Sequence, residues 1–168
     1  PVALYQDPFM DHKGAVIVLC ECLNPDGTPH QTNTRRQGAD LFEQLSDYPW
    51  YGMEQEFFLM DTSTNKPLGL SDQPQFQFYC SAGEGNAFGR DLVEKAYIKA
   101  LEAGVKVCGL NAEVAPGQWE IQVGPLAGIR AGDDIMMLRY ILQRCSEGTG
   151  IQVELGAKPI SGYNGSGM

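Results

Sequence analysis

Four glutamates stand where side chains could do chemistry: Glu54 and Glu56 in YGMEQEFFLM, and Glu113 and Glu120 on either side of a Pro-Gly turn in NAEVAPGQWEIQVGP. Side chains on a strand alternate faces, so residues two apart share one, and Glu54 and Glu56 point the same way. A two-residue turn at Pro116-Gly117 pairs Ala115 with Gln118, Val114 with Trp119 and Glu113 with Glu120 across an antiparallel hairpin. Side chains opposed in this way have Cβ atoms roughly 4.5–5.5 Å apart, where like charges are destabilising and call for compensation. Close carboxylates can share a proton, one pKa being strongly raised. They can also hold a hard divalent cation such as Mg²⁺ or Mn²⁺, which prefers oxygen ligands. The plain alternative is that each Glu lies on the solvated face of an amphipathic strand. For Glu54 and Glu56 alone that reading is the simpler one, and the opposed hairpin pair favours the cation.

Strands that present acids on one face need an apolar backing on the other. Met53, Phe57, Trp119, Ile121 and Val123 fall on the faces opposite the four glutamates, so the acids line the wall of a cleft. Other residue patterns carry less. GEGNAFGR has neither the GxxxxGKS nor the strand-then-GxGxxG arrangement that cradles phosphates. Arg90 opens a helix whose N-terminus can favour an anion, although an exposed first-turn Arg explains it as well. The NGSG stretch lets backbone approach a small ligand, and flexibility alone accounts for it equally. His12 and His30 lie in polar loops without ligand spacing, and two histidines far from any nucleophile disfavour covalent catalysis. Trp119 reads as core, whereas Trp50 is open to either role.

The chain is predicted to begin with a buried-sheet strand over 15–23 (AVIVLCECL), ended by the turn residues Asn24-Pro25-Asp26-Gly27. A helix follows over 34–45, with Thr34 as a candidate N-cap and Leu41, Phe42 and Leu45 at helical spacing. The period changes to two over 50–60, which puts Glu54 and Glu56 on a strand; a polar loop over 61–74 and a short aromatic strand over 75–80 come next. The spacing of Leu92, Val93, Ala96, Tyr97, Ala100 and Leu101 predicts a helix over 90–103 stopped by Gly104. The hairpin strands 105–114 and 118–123 precede a helix over 132–147, whose Asp133 and Asp134 complement its positive end, and a last strand. This order is α+β with antiparallel pairing rather than alternating βαβ units.

At 168 residues the chain can bury one complete core and a piece of another. A net charge of −9 argues against nucleic acid and anionic membranes as partners, and no apolar run is long enough to span a bilayer. Five cysteines without CxxC spacing read as reduced thiols packed in the core. No secretory signal opens the chain, so a cytoplasmic location is expected. Because it starts at Pro1 and stops at Met168 inside a Gly-rich stretch, it reads as an internal segment of a longer protein.

YGMEQEFFLM, GRDLVEKAYIKALEAGVKVCGLNAEVAPGQWEIQVGP and KPISGYNGSGM resemble consecutive segments of glutamine synthetase, class II or eukaryotic-type in most of their wording. The likeness runs in order along nearly the whole chain, from QDPF through YPWYGMEQE onward. It implies a ligase that joins ammonia to the side-chain carboxylate of L-glutamate at the expense of ATP, through γ-glutamyl phosphate, with paired Mg²⁺ or Mn²⁺ ions. Carried over by position, Glu56, Glu113 and Glu120 match ligands of one ion and Glu54 a ligand of the second. Glu54 and the stretch Glu120, Ile121, Gln122, Val123, Gly124 and Pro125 resemble the nucleotide-binding residues. Asn164 and Gly165 resemble the loop that holds substrate glutamate. The resemblance also implies a fold in which residues 1–33 are the end of an N-terminal β-grasp domain and 34–168 the first half of the catalytic domain. The family assembles as two stacked rings, a decamer or a dodecamer, with active sites between subunits. Its D-G-S-S loop is expected before Pro1. A metal-binding His, the glutamate flap, a further metal Glu and the phosphate-binding arginines are expected beyond Met168, so the segment alone is expected to be inactive. The alternatives are a noncatalytic relative that keeps the scaffold and a ligase joining glutamate to another amine.

Overall fold

The computed structural model describes residues 1–71 and 75–168. In chain order the elements are β1 (Ala3–Gln6), β2 (Val16–Leu19), α1 (Thr34–Glu43), β3 (Trp50–Asp61), β4 (Lys66–Pro67), α2 (Arg90–Ala103), β5 (Val107–Ala112), β6 (Gln118–Ala127), α3 (Arg130–Ser146) and β7 (Ile151–Glu154). β1 and β2 form a two-stranded antiparallel sheet. The main sheet runs β4-β3-β6-β5, with β7 also on β3, and all its pairings are antiparallel, as the α+β reading requires.

Strand alternation divides this sheet into two unlike faces. Phe57, Leu59, Trp119, Ile121 and Val123 turn inward and bury completely against Leu92, Val93, Ala96 and Ala100 of α2 and Leu138, Ile141 and Leu142 of α3. Apolar area taken out of water in this way is the main stabilising contribution, about 25 cal/mol per Å². The opposite face carries Glu54, Glu56, Gln118, Glu120 and Gln122, and further along β3 a small second cluster in which Phe58, Met60 and Ala115 pack with Ile160 and Tyr163. The rigid core side therefore fixes the positions of the acids.

α2 has the bounds expected from its apolar stripe, and Gly104 ends it in the left-handed conformation at φ 86°. Within that stripe Leu92, Val93, Ala96 and Ala100 are buried while Leu101 is exposed. Several expectations are corrected. The strand expected over 15–23 is only β2, Val16–Leu19, preceded by β1, and does not belong to a buried sheet: with β1 as its sole partner, it leaves Val16 and Val18 exposed while Ile17 and Leu19 pack against the core. Helix α1 is capped by Asn33, whose side chain accepts from the Arg36 amide, and Thr34 is its first helical residue. No residue of α1 is fully buried, and Leu41 and Leu45 remain exposed. Residues 75–80 form turns rather than a strand, because Phe76 and Cys80 adopt positive φ of 79° and 52°, which breaks an extended path. The loop expected over 61–74 contains the short strand β4, and its residues 72–74 lie outside the described residues.

The hairpin register also differs. Gln118 N–H bonds Ala115 O at 3.2 Å, and Gly117 sits at φ 68°, so Pro116-Gly117 does form the turn. The ladder then resumes with Glu113 N–H to Gln118 O at 2.8 Å, and Ala112 faces Trp119 and Asn111 faces Glu120. This is two residues from the simple two-residue hairpin, and an even shift leaves every side chain on its expected face. Asp133 lies in the first turn of α3 as expected, with Asp134 next to it, but both acids also have specific partners. Both are buried: Asp133 accepts two 2.8 Å bonds from Arg35, and Asp134 accepts from Tyr5 Oη, Arg130 Nε and the Lys106 amide. Four of the five cysteines are exposed and only Cys145 is buried, since Cys20, Cys22 and Cys80 fall in turns and loops and Cys108 at a break in the β5 register. Trp119 is core and donates from Nε1 to Phe88 O at 2.8 Å, whereas Trp50 is exposed. Among the described residues no helix is long and apolar enough to cross a membrane.

Candidate metal centre

Adjacent strands β3 and β6 place Glu56 directly opposite Glu120. Glu113 joins them from the residue after β5, where its amide is held by Gln118 O. Carboxylate oxygens of Glu56, Glu113 and Glu120 all lie within 4.8 Å of one another. The directly opposed pair is thus Glu56 and Glu120, while Glu113 reaches the same point from the hairpin end. Glu54 lies two residues along the same face, opposite Gln122, and is exposed and outside the trio.

The trio is held by neutral donors. Glu56 Oε2 accepts from the Gly167 amide at 3.0 Å and from Gln118 Nε2 at 3.5 Å. Glu113 accepts from Asn111 Nδ2 at 3.2 Å and from the Val114 amide at 3.1 Å. Glu120 Oε1 accepts from Gln122 Nε2, which also bonds Asn111 Oδ1 at 2.6 Å. Among the described residues none of the three acids makes an ion pair with Lys or Arg. Burial pushes the Glu113 carboxyl above the ordinary range, the Val114 bond opposes this, and the charges of Glu56 and Glu120 add to it. Burial likewise raises Glu120, against the Gln122 bond and with Glu54 and Glu56 reinforcing it. Convergent, partly desolvated anionic oxygens without a cationic side chain fit a hard divalent cation.

Of the residues expected to meet a nucleotide, Ile121 and Val123 are buried in the core, so their side chains face away from the acids. Glu120 and Gln122 share the acid face, and Gly124 follows at φ 117°, where a Cβ would meet Tyr51 O at 2.6 Å. Pro125 O accepts from Lys106 Nζ at 2.9 Å. The structure brings the other end of the chain to the site as well. Glu56 N–H bonds Gly167 O at 3.1 Å, Gln118 Nε2 bonds Gly165 O at 3.0 Å, and Asn164 N–H bonds Gln75 Oε1 at 2.8 Å. Gly165 is needed there, for a Cβ would lie 2.5 Å from Ala157 O. Sequence reasoning did not single out Asn111 or Gln118. Their strand parity was a signal, since Asn111 lies two residues from Glu113 and Gln118 two from Glu120.

Fold and site together define a domain built on an antiparallel sheet, with a carboxylate cluster on one face and helices on the other. The family model described as the glutamine synthetase catalytic domain matches residues 32–168. Glutamine synthetase root isozyme 1 of Zea mays is 46% identical over 99% of this chain and 49% of its own length. Cytosolic isozyme 1-1 of Oryza sativa subsp. japonica is 44% identical over the same shares. A crystal structure of a novel glutamine synthase homolog aligns with TM-score 0.66 at 20% identity, covering 86% of this chain and 32% of that one, which is a likeness of fold. The chain belongs to the glutamine synthetase family. It spans about half the length of the curated relatives it matches.

Proposed function

We propose that the protein is a glutamate–ammonia ligase, in which the γ-carboxylate of L-glutamate attacks the γ-phosphorus of ATP and expels ADP. Ammonia then attacks the γ-carbonyl carbon of the resulting γ-glutamyl phosphate, the carbon–oxygen bond to phosphate breaks, and the proton lost from nitrogen leaves with inorganic phosphate as glutamine forms. The observation that carries this reading is the convergence of Glu56, Glu113 and Glu120 within 4.8 Å, in a chain of this family. These three would hold one Mg²⁺ or Mn²⁺, and Glu54 would contribute to a second. Bound ions supply charge neutralisation at the phosphate oxygens, the main electrostatic demand of phosphoryl transfer. The residues of the chain orient these groups. The inward packing of Ile121 and Val123 leaves Glu120, the Gln122 side chain and the backbone at Gly124 and Pro125 to meet the nucleotide. Asn164 and Gly165 would receive glutamate beside Glu56, an arrangement favoured by the bonds from Gln118 and Gly167.

Residues 1–33 belong, in this reading, to an N-terminal β-grasp domain, and 34–168 to the catalytic domain; the start of the family match at residue 32 favours that boundary. The protein would work in the cytoplasm, as the name of the rice cytosolic isozyme suggests, and as a homo-oligomer of two stacked rings. The test is an assay of the intact protein with ATP, glutamate, ammonium and Mg²⁺ or Mn²⁺. Glutamine, ADP and phosphate are expected in equal amounts. ATP hydrolysis without glutamine, or turnover with another amine in place of ammonia, would overturn the reading.

A further inference from the structure

Gln118 is a polar side chain that is only 1% exposed, and its Oε1 has no hydrogen-bond partner among the described residues. A buried acceptor left unpaired is costly, and an apolar side chain of the same size would avoid the cost. What keeps the amide in place is its other end. Nε2 donates to Gly165 O at 3.0 Å, to Ser166 Oγ at 3.3 Å and to Glu56 Oε2 at 3.5 Å. Turning the amide over would set Oε1 against the Gly165 carbonyl and the Glu56 carboxylate, both acceptors, so its orientation follows from its neighbours.

This one NH₂ group therefore touches both a carboxylate of the acid trio and the backbone of the segment around Gly165. The link is reinforced by the reciprocal pair between Glu56 and Gly167, in which each amide donates to the other residue at 3.1 and 3.0 Å. We infer that Gln118 is a positioning residue that couples the metal centre to the glutamate loop, so that ordering Glu56 also orders residues 164–167. The inference rests on the ligase reading, because it takes that loop as the seat of glutamate. In this role Gln118 acts through Glu56, Gly165 and Ser166. Its contribution is to hold Gly165 and Ser166 where the substrate meets them, and to fix the oxygen of Glu56 that faces the loop.

Steady-state kinetics of the intact protein with Gln118→Met and Gln118→Glu tests this. Both variants keep the length of the side chain and lose the NH₂ donor. The expected result is a rise in KM for glutamate of about 10-fold to 100-fold, the range seen when an outer partner of a metal site is removed, with KM for ATP within about twofold of the parent. Thermal melting identifies a variant that fails to fold, in which case the other decides. A folded variant with unchanged KM for glutamate, or with KM for ATP rising in parallel, overturns the coupling. A parent protein that forms no glutamine refutes the ligase reading instead, so the two failures are told apart.

Discussion

At neutral pH the Glu56, Glu113 and Glu120 carboxylates repel one another across separations within 4.8 Å, and burial adds to the cost of their charge. The native carboxyls of Glu113 and Glu120 hold protons to higher pH than they do in the unfolded chain, where a Glu titrates near about 4.3. Between that value and the raised native values the folded state binds more protons, so stability falls as pH rises through the window and levels off above it. Glu113→Gln is expected to flatten this slope and to raise the melting temperature of the metal-free protein at pH 7. Denaturant titrations from pH 4 to 7 check it, and an unchanged slope would contradict it. Added Mn²⁺ should reverse the ranking, since the cation stabilises only the protein that binds it well. The four glutamates were legible in the sequence because strand parity is local. Gln118 and Asn111 were not, because their contacts with the acids depend on pairing across β3, β5 and β6.

The elements are held together by polar contacts far apart in sequence. Tyr5 of β1 is buried and donates to Asp134 of α3 at 2.8 Å, 129 residues away, and Arg130 lies over the Tyr5 ring at 4.9 Å. Desolvation, then the Asp134 bond, push the Tyr5 phenol well above its ordinary value. The stability this bond contributes is present below the unfolded tyrosine value of about 10 and is lost as pH rises through the native value. Tyr5→Phe should cost about 1.5–3 kcal/mol, the range for a hydrogen bond to a charged group, and should remove that alkaline loss; chemical denaturation at pH 7 and pH 10.5 measures both. The hairpin makes a second demand. Gly117 sits at φ 68°, and a Cβ there would lie 2.8 Å from Leu68 O, so Gly117→Ala should destabilise by more than ~1 kcal/mol in the same assay. The bounds of α2 could be read from its stripe and Gly104, both local features, although Leu101 of that stripe is exposed. The register of β5 on β6 could not, because beyond the Pro116-Gly117 turn it is Glu113, not Ala115, whose N–H bonds Gln118 O, which displaces the ladder by two. The burial of Asp133 and Asp134 was hidden for a similar reason: their partners Arg35 and Tyr5 come from other elements.

For the molecule as a whole, the sheet is divided into an apolar face under α2 and α3 and an acid face, within the stretch that matches the family's catalytic domain, and the chain spans about half the length of the curated relatives it matches. Alternation alone indicated the two faces; that Glu56 of β3 stands opposite Glu120 of β6, with Glu113 just past β5 reaching the same point, depends on pairing across the sheet. The role proposed for the trio has a direct measurement. Glutamine formation by the intact, metal-depleted protein should be absent, return and saturate as Mn²⁺ is added, and in Glu120→Gln require more than about tenfold more Mn²⁺, that is upward of ~1.4 kcal/mol of lost binding. Activity that survives metal removal, or a Glu120→Gln variant with the Mn²⁺ dependence of the parent, would contradict it.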